Sequence, residues 1–85
     1  MWNDRLRFAE RVLNDWRALS PELKATGREA LEALDADPIA GAPLYAPLKG
    51  LWIHRVGELR IIYIISPEAR TVVVLNIGVV SAGLR

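Results

Sequence analysis

Arg60 is the side chain in this sequence best suited to holding an anion. Its guanidinium is a planar fork of donors that can grip a phosphate bidentately. The competing role is a salt bridge within the fold, to Glu58 or to a helix carboxylate. His54, the single histidine, has a side chain that titrates near neutral pH and so suits general acid or base work. A lone histidine in an apolar strand more often packs structurally, and both readings stay open. Arg55 follows it directly. Neighbouring strand residues point to opposite faces of a sheet, so His54 and Arg55 cannot both join Arg60 without a bulge. Register decides which one does. Lys49 stands at a strand entrance, where it could steer an anionic polymer or simply be solvated. Trp52 could stack on a base or fill a core. Tyr63 reads as packed in the sheet, and Arg85 is terminal.

These residues need a sheet to position them. Residues 51–55, 59–65 and 71–77 are three strand-like runs. Val56-Gly57-Glu58 makes a tight turn between the first two, with glycine available for a positive φ. Ser66 to Arg70 makes the next. Short links imply an antiparallel meander. Upstream, Ala9, Val12, Leu13, Trp16 and Leu19 recur at helical spacing. Ser20-Pro21-Glu22 is a helix start, with serine as cap and proline in the first turn. The second helix runs to about Leu34, with Leu23, Ala30, Leu31 and Leu34 on one stripe and Gly27 as a weak point. Asp35 to Pro38 ends it. The short link between the helices implies an antiparallel hairpin. Residues 39–47, with Gly41, Pro43 and Pro47, read as a loop. Trp2, Leu6 and Phe8 alternate roughly, which favours a short first strand over an extension of the first helix.

The expected fold is therefore α+β: one domain over residues 1–85, with a helical hairpin packed on one face of a small antiparallel sheet. Leu59, Ile61, Tyr63 and Ile65 face one way, and Ile62 and Ile64 face the other beside Arg60. In the last run Val73, Leu75 and Ile77 oppose Val72 and Val74. Both faces are apolar, where a solvated antiparallel sheet would alternate with polar residues. Two short helices cover one face only. Ile62, Ile64, Val72 and Val74 are thus candidates for contact with a partner protein or a second copy of the chain.

Bulk properties narrow the options. Eighty-five residues make one small domain with a limited core. There is no cysteine, which removes disulfides and thiolate metal sites, and one histidine makes a structural zinc site an unpromising expectation. No cofactor motif or carboxylate pair is visible, so neither metal nor cofactor is expected. No run approaches a membrane span, and the N-terminus lacks the order of a signal peptide; the expected location is the cytoplasm. Net charge is +1. Residues 1–42 carry six basic and eight acidic side chains, whereas residues 43–85 carry five basic and two acidic. The basic excess falls in the sheet half, a weak pointer to an anionic partner there.

The stretch Pro47-Leu48-Lys49-Gly50-Leu51-Trp52-Ile53-His54-Arg55-Val56-Gly57-Glu58-Leu59-Arg60-Ile61-Ile62-Tyr63 resembles the signature of the RelE/ParE superfamily of bacterial toxins. It has a leucine and glycine before a strand, a glycine hairpin, and an arginine followed by two apolar residues and a tyrosine. The element order also matches, over nearly the whole chain. The resemblance implies the toxin of a type II toxin–antitoxin pair, with a cognate antitoxin wrapped on it. RelE-like members are ribosome-dependent endoribonucleases, mRNA interferases that bind RNA and inhibit translation. They cut with basic side chains on the sheet's concave face. That reading makes Arg60, His54 and Arg55 the catalytic candidates, Lys49, Arg55 and Arg60 the RNA contacts, and the ribosome and mRNA partners. ParE-like members lack that set and inhibit gyrase without cleaving RNA. The sequence departs from the nuclease pattern where lysines are usual before the hairpin. It departs again after Gly78, where Val79 and Val80 stand in place of a basic residue and no tyrosine follows. A non-enzymatic toxin, or a degenerate one that only binds its antitoxin, is the alternative.

Overall fold

The computed structural model describes residues 5–44 and 50–79. In chain order the elements are β1 (Leu6–Phe8), α1 (Arg11–Arg17), α2 (Pro21–Ala36), a 3-10 turn (Pro38–Ala40), β2 (Ala42–Pro43), β3 (Trp52–Val56), β4 (Leu59–Ser66) and β5 (Thr71–Val79). The strands form one sheet in the order β1-β5-β4-β3-β2. β1 runs parallel to β5, and the other pairs are antiparallel. Both helices pack on one face. This is the expected α+β architecture, with the short first strand present and one strand more than expected. Ala42 and Pro43, in the expected loop, pair with Ile53 and Trp52. Proline is tolerated there because an edge strand needs no ladder donor on its outer side.

Local chemistry explains the boundaries. The Ser20 hydroxyl accepts from Leu23 N–H at 3.2 Å with Pro21 in the first turn, which satisfies one of the open donors at the start of α2. At its far end Asp37 accepts from Ile39 N–H at 3.3 Å and starts the 3-10 turn. Gly27 in mid-helix permits a close approach: a Cβ there would lie 2.7 Å from Trp16 Cζ3. Glycine weakens a helix by about 1 kcal/mol, and here it lets α1 and α2 close on each other. Gly57 has φ +58 in the β3–β4 hairpin, as the tight turn requires.

The core joins Val12, Leu19, Ala30, Leu31 and Leu34 of the helical side to Leu59, Ile61, Tyr63, Val72, Val74 and Ile77 of the sheet. Full burial of each large aliphatic side chain contributes about 1.5–3 kcal/mol. Tyr63 is fully buried. Its hydroxyl donates to the Pro38 carbonyl at 2.7 Å and accepts from Gly41 N–H at 3.2 Å. One side chain thereby fastens the connection after α2 to the middle of the sheet. Trp52, directly opposite Tyr63 in register, stacks on it with ring centroids 6.1 Å apart.

The last strand departs from simple alternation. Ile62 pairs with Asn76 but Tyr63 pairs with Val74, which leaves Leu75 as the extra residue of a bulge. A bulge shifts side-chain parity by one position. Val72, Val74 and Ile77 consequently all enter the helix-covered core, at 1, 0 and 3 % exposure. This corrects the expectation that Val72 and Val74 contact a partner: they pack beneath the helices. Ile77, placed opposite them by alternation, joins them instead. Val73, opposite Ile64, shares the uncovered face with Ile62 and Ile64, which are half-buried there.

Candidate functional site

Register resolves the arginine question. Arg55 lies directly opposite Arg60, and His54 lies opposite Ile61. Directly paired residues share a face. Arg55 and Arg60 therefore stand side by side on the uncovered face. His54 points to the helix side, where its partner Ile61 is 1 % exposed. His54 is half-buried, and loss of solvation holds its pKa below the usual histidine value. The structure does not bring His54 to Arg60, so the three catalytic candidates form a pair and an outsider. Lys49, expected to contact RNA, lies outside the described residues, as do Trp2, Val80 and Arg85.

Arg55 is exposed, while Arg60 is half-buried and lies across β5. Arg60 pairs with Gly78, and the position of a Gly78 Cβ would be 3.7 Å from Arg60 Nε and 3.9 Å from Nη2. The bare backbone at Gly78 makes room for the guanidinium. Among the described residues Arg60 Nε is buried without a hydrogen-bond partner, and no salt bridge joins Arg60 to Glu58 or to a helix carboxylate. Like charges directly across a strand pair are destabilising, and a buried donor left unmade costs more. Both conditions are relieved when an anion sits between the two guanidiniums. Beside them Ile53, Ile62, Ile64 and Val73 form an apolar stretch of this face, bordered by Arg7 opposite Val73, Asn76 opposite Ile62, and the Ser66–Thr71 pair. Among the described strands no lysine, histidine, tyrosine or carboxylate shares this face.

Sequence reasoning missed Asn76 and Asp15. Asp15 Oδ2 accepts from Asn76 Nδ2 and from Ile77 N–H, each at 3.2 Å. β1 covers β5 only at residues 72–74, so the edge beyond is open and the carboxylate caps it. The polar Asn76 inside Val72-Val73-Val74-Leu75-Asn76-Ile77 was the available signal.

A second surface lies on the helix side. Phe8, Val12, Leu13, Trp16, Leu31 and Ile77 line an apolar groove of about 480 Å³. Phe8 and Leu13 are about half exposed. Arg28 stands over the Trp16 ring, 5.8 Å from its centroid. The sheet's open face was the expected apolar patch; the groove is a second one.

Residues 6–80 match the model of the ParE toxin of the type II toxin–antitoxin system parDE. The chain belongs to the RelE/ParE family of type II toxins. Among solved structures, the toxin–antitoxin complex RelBE2 from Mycobacterium tuberculosis contains a chain 32 % identical, with a TM-score of 0.82, covering 88 % of this toxin and 95 % of that chain. The isolated E. coli RelE toxin is 21 % identical at a TM-score of 0.78, covering 94 % and 87 %. A YoeB/ParE toxin from Agrobacterium tumefaciens is 19 % identical at 0.73, covering 89 % and 98 %. No curated protein matches the toxin's sequence. The last two likenesses speak for the fold. No helix among the described residues is long and apolar enough to cross a membrane.

Proposed function

We infer that this toxin acts by gripping a phosphate-bearing target through the open sheet face, without cutting it, and is silenced by a cognate antitoxin. The observation that carries the reading is the cross-strand pair Arg55–Arg60, with His54 on the opposite face. RNA cleavage needs a base for the 2′-hydroxyl, an acid for the leaving oxygen and positive charge on the phosphate. The described strands supply only the charge. This favours the ParE-like, non-enzymatic mode over the mRNA interferase mode. Two surfaces suit an antitoxin segment: the apolar part of the open face around Ile62 and Ile64, and the groove beside Trp16. Solved relatives occur as toxin–antitoxin complexes, among them RelBE2 and the intact E. coli RelBE pair.

The nuclease reading keeps one specific support: Arg60 stands at the position that resembles the charge-stabilising arginine of RelE-like enzymes, and the RelBE2 chain is 32 % identical. Primer extension on mRNA from translating ribosomes separates the two. Growth arrest with uncut A-site mRNA is the expected result. Arg60-dependent cuts within the A-site codon would restore the nuclease reading.

A further inference from the structure

The groove along α1 has a charge pattern that its apolar lining alone does not explain. Val12, Leu31 and Ile77 make its floor, and all three are buried. Phe8 and Leu13 stand on its rim at 49 and 55 % exposure. Contiguous exposed apolar surface bordered by polar residues marks an interaction site. The border here consists of one acid and one base. Glu10 precedes the first turn of α1 with helical backbone angles, φ −58 and ψ −40, and lines the groove at the end of the helix nearest Phe8. Arg28 lines it at the other end, over the Trp16 ring.

At ~1.5 Å of rise per residue, Glu10 and Trp16 are about 9 Å apart along the helix axis. Leu13 is midway between them. Glu10 and Arg28 are both exposed, and neither makes an ion pair among the described residues. The face therefore runs from an acidic end, through an apolar middle, to a basic end. Turned by half a revolution about an axis through Leu13, this pattern meets its own complement. In a two-fold interface residue i touches the partner's residue j, and j touches the partner's i. Glu10 then faces the partner's Arg28, and the same pair forms a second time across the axis. Phe8 comes to the partner's Trp16, an aromatic contact that is also made twice. A partner segment carrying charge of one sign would be repelled at one end of the groove or the other.

We propose that the groove along α1 is the interface of an isologous toxin dimer, filled in the free toxin by a second copy of the chain. The helices cover one face of the sheet, and Arg55 and Arg60 stand on the other, so the dimer leaves the open face clear. The inference is independent of how that face works. One groove makes a small interface, and a dissociation constant on the order of 100 μM suits it. An antitoxin segment that used this groove would have to displace the second copy.

The test is sedimentation equilibrium of the purified full chain from about 10 μM to about 1 mM, a range that brackets that constant. A monomer–dimer equilibrium is expected, and Leu13→Glu should abolish it. Glu10→Arg and Arg28→Glu should each weaken association about tenfold or more, because the two-fold axis makes both charge pairs repulsive at once. An equimolar mixture of these two variants should associate like the parent, because each pair in the mixed dimer again sets an arginine against a glutamate. A structural fault in either variant could not be cured by mixing, and thermal melts by circular dichroism check that all the variants fold. Arg60→Ala should dimerise unchanged, so failure here is distinct from failure of the open-face reading. A monomer at every concentration, a mixture that associates no better than its components, or association kept by Leu13→Glu and lost in Ile64→Lys would each overturn the proposal. The first outcome leaves the groove to a different protein, and the last moves self-association to the open face.

Discussion

Asp15 of α1 accepts the backbone N–H of Ile77 at 3.2 Å, so a side chain from the helical layer completes the edge of the sheet. Because β1 stops pairing at Val74, the rest of that edge would otherwise present open donors to whatever approaches it. The same oxygen takes the Asn76 amide. The first helix is thus fixed to β5 by polar contacts as well as by Val12.

Asp15→Ala should remove both acceptor contacts and destabilise the domain by about 2 kcal/mol. For a chain of this size that is a fall in melting temperature of roughly 10 °C. Asp15→Asn keeps one carbonyl acceptor and should recover part of the loss. Thermal melts by circular dichroism measure both. A wild-type melting temperature for Asp15→Ala would remove the carboxylate from any role in holding the edge.

Tyr63 carries a second fastening. Tyr63→Phe leaves the Pro38 carbonyl and the Gly41 N–H without their shared partner, and should cost about 1–2 kcal/mol in urea unfolding. Gly41→Ala should cost more. Its Cβ would fall 2.5 Å from the Ile53 carbonyl oxygen and 2.6 Å from the Tyr63 hydroxyl, and the first of these is backbone that cannot swing aside. If the two variants unfold in the order opposite to this, the contact is looser than its geometry implies.

Much of this frame was legible in the sequence. Ser20-Pro21 marked the start of α2, Gly57 marked the hairpin, and Tyr63 read as a packed residue. These signals are local, and local chemistry determines them. The Leu75 bulge was not legible. A run of valine, leucine and isoleucine looks the same in either parity, so Val72 and Val74 were assigned to the wrong face. β2 was hidden because two residues with a proline carry no periodicity, and its pairing depends on β3 alone. The Arg55–Arg60 pairing could not be read because a five-residue strand fits its neighbour in more than one register until the turn geometry is known. Asp15 was one unremarkable helix carboxylate until β1 proved too short to cover β5.

His54 should report the acid side of stability. Burial lowers its folded pKa below the ordinary histidine value of about 6.5. Below about 6.5 the unfolded chain therefore binds a proton that the folded chain resists, and stability must fall as pH drops through that region. Above it, both states are neutral at His54 and its contribution is flat. His54→Gln should remove this part of the slope. Urea unfolding at a series of pH values between 5 and 8 gives the test, and an unchanged slope in the variant would assign the acid sensitivity to the carboxylates instead.

Arg55 and Arg60 should separate stability from toxicity. Each is held against its like-charged partner, and an arginine removed from such a pair relieves repulsion worth a few tenths to about 1 kcal/mol. Arg55→Ser, at an exposed position, should therefore leave the melting temperature equal or slightly higher. Arg60→Ala removes the buried, unpartnered Nε, which offsets the loss of the packed stem over Gly78. Both variants should fold, and both should lose growth arrest when expressed without an antitoxin, because the anion grip needs two guanidiniums. His54→Ala should arrest growth like the parent, since its side chain points into the helical layer. Induced expression, scored by colony counts with protein levels matched by immunoblot, makes the comparison direct. Arg60→Ala that still arrests growth would place the toxic surface elsewhere, with the groove beside Trp16 the next region to mutate. Loss of toxicity in His54→Ala with its fold intact would return the histidine to the active set and, with it, the case for cleavage.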